Sequence, residues 1–202
     1  MRSPQEIGVF KTPCSELMFV LYMAVRLAGQ RSITLPPSLR SYYPLVRMAV
    51  DHEGGAADGK YVYLTVKRLW VETGSTGSRP GWHTDGFGTN DINYLWADKD
   101  HTEICNQEFD LSKDHQISMQ QMEDQVKPEN IIQYNTHSVI RITPEHVHRT
   151  PPDMTPGYRA FARVSISSDK YDKVGNAHNH YLDYNWDMNP RTLVRNDTST
   201  KI

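Results

Sequence analysis

The sequence predicts a mainly β chain with supporting helices, built as a β-sandwich or jelly-roll barrel. Three observations carry this. Tyr158 to Ser167 alternates cleanly, with Ala160, Ala162, Val164 and Ile166 on one face and Arg159, Phe161, Arg163 and Ser165 on the other. Tyr61 to Val71 is dense in aromatic and β-branched residues. Further short β-rich segments are separated by turn signals and preceded by one helical pattern.

Each element has its own justification. Ser15 to Ala28 predicts a helix: Ser15 caps it, Leu17, Leu21, Ala24, Val25 and Ala28 recur at helical spacing, and Gly29 stops it. Pro36, Pro37 and Pro44 mark a connector, and Gly54 to Gly59 a turn. Tyr61 to Val71 is a strand, Gly74 to Gly81 a Gly/Ser-rich loop, and Ile92 to Ala97 a short aromatic strand. Ile117 to Val126 predicts a helical turn or two, with Pro128 as its stop. Ile131 to Thr143 predicts one long strand, and Tyr158 to Ser167 the last. The polar tail predicts an irregular wrap or arm. The whole is one domain, 1–202, with helical and loop support in 1–60, a core in 61–168 and an arm in 169–202.

Composition narrows the function. Lys and Arg total 22, Asp and Glu 24, for a net charge of −2. Such a chain has no positive excess with which to coat nucleic acid non-specifically. Two cysteines, Cys14 and Cys105, make neither a disulfide scaffold nor a Cys-based zinc module. The most apolar run, Leu17 to Ala28, is short and interrupted by Arg26, against the roughly 20 residues a membrane span needs. It is also a poor signal peptide, so the expectation is a cytoplasmic protein.

Chemistry concentrates in two places. Gly81-Trp82-His83-Thr84-Asp85-Gly86-Phe87 sets an imidazole and a carboxylate two residues apart beside glycines. With a second, distant His, that mixture of nitrogen and oxygen donors is the facial triad of non-heme Fe(II) oxygenases. Alone, the pair is better explained by a surface turn with a hydrogen-bonded Asp. Downstream, Glu145-His146-Val147-His148-Arg149-Thr150-Pro151 is followed by an Arg that opens a strand, ten residues after His148. A buried Arg on the polar face of a strand needs an anionic partner, and no acidic residue alternates with Arg159 there.

The order His83-x-Asp85, His148, Arg159 resembles the Fe(II)/2-oxoglutarate-dependent dioxygenases over about Tyr61 to Ser168. The resemblance implies a double-stranded β-helix, a jelly-roll or cupin-like barrel. It implies Fe(II) on His83, Asp85 and His148, and 2-oxoglutarate held at its far carboxylate by Arg159, with Thr102 as a further 2-oxoglutarate contact. It also implies Arg163, four residues on, as a substrate-binding residue; a salt bridge at the barrel rim is the competing role. The reaction implied consumes molecular oxygen and 2-oxoglutarate and hydroxylates a small-molecule or nucleotide-like substrate.

Several choices stay open. His146 and His148 point to one face of a strand, so orientation does not separate them; the ten-residue gap to Arg159 favours His148. Tyr94, Trp96 and Phe87 either stack on a planar substrate or pack in the barrel. His178 and His180 form a second His-x-His pair, and His101-Thr102-Glu103 a second His-x-carboxylate, neither with a partner at useful spacing. Competing functions are hydroxylation of a protein or nucleic-acid base, a non-catalytic jelly-roll binding protein, and a cupin-type isomerase. The last draws on more His and lacks the late strand Arg.

Overall fold

In chain order the elements are β1 (Gln5–Val9), β2 (Met18–Arg26), α1 (Tyr43–Glu53), β3 (Tyr61–Val71), β4 (Ile92–Ala97), β5 (Glu103–Cys105), α2 (His115–Gln125), β6 (Ile131–Ile132), β7 (Ser138–Ile142), β8 (Val147–Arg149) and β9 (Gly157–Ser167). They come from a computed structural model that describes residues 3–12 and 14–191. The fold is mainly β, with two antiparallel sheets. Six strands form one sheet in the order β1-β7-β4-β9-β3-β2, and three form the other in the order β6-β5-β8. Among the described residues no helix is long and apolar enough to cross a membrane.

Period-two alternation on β9 divides the interior in two. Ala160, Ala162, Val164 and Ile166 join Val62, Leu64, Val66, Tyr94 and Trp96 in a core that α1 covers with Leu45, Val46 and Ala49. Phe161, on the opposite face, packs with Leu95, Ile140 and Ile142 of the large sheet and Ile104 of the small one. That second cluster lies between the sheets, and Arg159 and Arg163 share its face of β9.

The predicted spans for β3 and β4 match the observed strands, and β9 starts one residue earlier, at Gly157. α2 forms where a short helix is predicted; the Asp114 carboxylate caps it by accepting from the N–H groups of Gln116 and Ile117, both at 2.9 Å. Two elements correct the sequence reading. Ser15 to Ala28 is not a helix: Met18–Arg26 is strand β2, antiparallel to β3. The ladder shifts between Val20 and Met23 and again between Ala24 and Arg26. Those shifts break the alternation; the buried residues are the run Met23 to Arg26, while Leu17 and Ala28 of the predicted helical stripe are exposed. The helix that covers the sheet is α1 instead, which begins where the Pro-rich connector ends and lies in a stretch for which no element is predicted. Ile131 to Thr143 is not one strand but β6 and β7 in different sheets, parted by a turn where His137 adopts φ 69°.

The tail after β9 wraps back over the large sheet. Tyr171 stacks on Tyr63 with ring centroids 4.0 Å apart. Asn179 is fully buried and donates through Nδ2 to the carbonyls of Ala24 and Thr34.

Candidate metal centre

His83 and His148 lie 65 positions apart in sequence and meet as an isolated antiparallel bridge on the free edge of β8. Their imidazole centroids are 4.6 Å apart. The other edge of β8 pairs with β5, setting Ile104 opposite His148. A further clamp holds this edge: Arg149 Nε donates to Glu103 Oε2 at 2.7 Å, and its guanidinium lies 4.3 Å from the Trp82 ring centroid. After Asp85 the chain turns sharply at Gly86, φ 72°, where a Cβ would come within 2.8 Å of Thr89 Oγ1. Only glycine fits there.

Both imidazoles are oriented by main-chain carbonyls. Nδ1 of His83 lies 2.9 Å from the Gly81 carbonyl, and Nδ1 of His148 lies 2.9 Å from the His146 carbonyl. A carbonyl only accepts, so each Nδ1 carries a proton and Nε2 is the ring atom left to meet an ion; Nε2 of His148 lies 3.5 Å from Asp85 Oδ2. This is the second-sphere arrangement that metal-binding histidines use. One ligand atom from each of His83, Asp85 and His148 lies within 4.8 Å of the other two, close enough to share one ion.

The electrostatics suit a cation. Burial pushes the His83 imidazole down to about 3, aided by neighbouring His148, so the ring is a neutral donor. Burial alone would lift the Asp85 carboxyl; Arg163, with His148 and His83, more than offsets it and holds the group well below the usual range. Two imidazoles and one carboxylate are the donor set that first-row divalent ions such as Fe(II) accept with positions left open.

His146 stands outside this set. Its Nδ1 accepts the Thr143 N–H at 2.9 Å, which puts the proton of a neutral ring on Nε2. The structure thus separates two histidines that strand alternation could not.

Arg159 is 3% exposed and carries no carboxylate within ion-pair range among the described residues. Its Nε and Nη2 donate to the carbonyls of Lys99 and Asp100, both at 3.0 Å. Burial lowers it to about 10, with Asp98 and Asp100 opposing. Arg163 lies four residues along the same face, roughly 13 Å away, and pairs with Asp85. Thr102 is buried two residues beyond Asp100.

The remaining candidates resolve into packing. Tyr94 and Trp96 face α1 and the N-terminal segment rather than the triad: the Tyr94 hydroxyl donates to Glu53 Oε1 and Trp96 Nε1 donates to the Phe10 carbonyl. His101 Nε2 reaches the Ser138 carbonyl at 3.0 Å. His178 and His180 pack ring against ring in the tail, 4.6 Å apart. The sequence reading missed Tyr22, whose ring lies over the Arg163 guanidinium, because its segment carried a helical pattern. No protein-family model, curated protein or solved structure matches the chain.

Proposed function

We propose that the protein is an Fe(II)- and 2-oxoglutarate-dependent dioxygenase that hydroxylates a small-molecule or nucleotide-like substrate on a double-stranded β-helix. The observation that carries this reading is the triad: His83 and His148, each anchored through Nδ1 to a main-chain carbonyl, beside an ionised Asp85. Strand order supports the fold. The large sheet contains β3-β9-β4-β7, and the small sheet runs from the His83 bridge through β8 and β5 to β6. From β3 onward the chain passes back and forth between the sheets, except that β5 and β6 follow one another in the small one, as in a wound antiparallel ribbon.

His83, Asp85 and His148 would hold the iron. Together with 2-oxoglutarate it supplies an oxygen-activating centre that yields succinate, carbon dioxide and a hydroxylated product. The chain's own residues bind and exclude water. Arg159, buried with only carbonyl partners within hydrogen-bonding reach, is the cation for the far carboxylate of 2-oxoglutarate, an interaction of two-pronged, charge-assisted type. Leu95, Ile104, Ile140 and Ile142 keep the space between the sheets dry.

Anaerobic titration with Fe(II) and then 2-oxoglutarate tests this. The expected result is a weak visible charge-transfer band that needs both components. Metal binding without that band overturns the 2-oxoglutarate assignment, and no metal binding overturns the whole reading.

A further inference from the structure

The family resemblance implies Arg163 as a substrate-binding residue, yet its guanidinium is engaged inside the protein. Nη1 donates to Oδ2 of Asp85, the one ion pair Arg163 makes among the described residues. The Tyr22 ring lies on the guanidinium, with its centroid 4.6 Å from Cζ. Arg163 Nε is buried without a hydrogen-bond partner among the described residues.

Tyr22 reaches this place through an unusual backbone. It has φ 48°, a region that aromatic residues seldom adopt, at the shift in the β2–β3 ladder between Val20 and Met23. Its N–H donates to Thr65 Oγ1 at 2.9 Å. Thr65 is also the direct cross-strand partner of Arg163. One position of β3 therefore aligns Arg163 and turns Tyr22 over it. Tyr171 then packs edge-on against Tyr22 at 5.3 Å and donates its hydroxyl to Asp91 Oδ2 at 2.8 Å. Backbone strain persists only where surrounding contacts over-determine it, and here those contacts lead to a candidate metal ligand.

We propose that Arg163, seated beneath Tyr22, is a positioning residue that fixes the rotation of the Asp85 carboxylate toward the two imidazoles, and is not an anchor for an anionic substrate. This rests on the triad being a metal site. Its charge is already matched by Asp85, so the substrate needs no anionic group at that point.

Anaerobic titration of the full chain with Co(II), read by calorimetry and by the ligand-field absorption bands, tests the proposal. Arg163→Met should weaken Co(II) binding 10- to 100-fold, the range for lost second-sphere partners, and shift the bands. Arg163→Lys keeps the charge but loses the fork, so it should recover most of the affinity with bands between the two. Wild-type affinity and bands in Arg163→Met overturn the proposal and leave the metal centre standing. If Arg163→Met does not fold, Arg163→Lys decides: a few-fold loss with shifted bands supports positioning, and unchanged values overturn it. A wild-type chain that takes up no Co(II) overturns both readings.

Discussion

His83 and His148 exchange main-chain hydrogen bonds: the N–H of His83 donates to the His148 carbonyl at 3.0 Å, and the N–H of His148 donates to the His83 carbonyl at 2.8 Å. The two imidazoles are therefore tied at the backbone before any ion arrives. Such a site loses little conformational entropy on binding.

This relationship separates His148 from His146 by experiment. His148→Ala should abolish Mn(II) binding in calorimetric titration, as should His83→Ala and Asp85→Asn. His146→Ala should keep Mn(II) binding. It should lower stability in urea by about 1–2 kcal/mol, because the Thr143 N–H loses its acceptor.

Arg159 should divide metal from co-substrate. Arg159→Leu removes the cation and leaves Fe(II) affinity near wild type. It should weaken 2-oxoglutarate by about 3–5 kcal/mol, the cost of breaking a buried charge pair, which is hundreds-fold or more. Arg159→Lys should retain part of the binding. Anaerobic calorimetry measures both, and equal 2-oxoglutarate affinity in the Leu variant would falsify the assignment.

Glu53 gives a stability signature at acid pH. Burial raises its carboxyl, but hydrogen bonds from Arg141 and Tyr94, with the charge of Arg141, win and leave it below its ordinary value of 4.5. A depressed carboxyl stabilises the fold above its unfolded-state value, and that contribution is lost as pH falls through the folded one. Glu53→Gln should cost about 1.5–3 kcal/mol at neutral pH, as for hydrogen bonds to charged groups. The gap from wild type should narrow below pH 4.5. Urea unfolding at pH 7 and in steps below 4.5 checks both.

Asn179 should prove a structural pin of the tail. Its Nδ2 serves two carbonyls and its Oδ1 accepts the Tyr181 N–H at 3.1 Å. Asn179→Ala strands those groups in the interior, and a loss of about 2 kcal/mol in thermal or urea unfolding is expected.

Local pattern was enough to read β3, β4 and β9: β9 alternates apolar and polar residues with period two, and β3 and β4, buried in continuous runs, show as dense β-branched and aromatic segments. His83-x-Asp85, a late His at 146 or 148 and the strand Arg159 were also legible, through residue chemistry and the family resemblance, neither of which needs a fold. β2 was not legible: its two ladder shifts reset the alternation, and only pairing with β3 shows that Phe19, Val20 and Ala24 belong to a strand. Nor did the sequence show that Ile131 to Thr143 divides between two sheets, because a break at His137 is a matter of backbone conformation rather than hydrophobic pattern. Tertiary structure alone decided three things. It chose between His146 and His148, through which ring nitrogen meets an N–H and which meets a carbonyl. It gave Arg163 to Asp85, and it turned Tyr22 over that pair. These are contacts between strands remote in sequence, and a chain's local pattern carries no record of which remote partner will saturate a given hydrogen-bonding group.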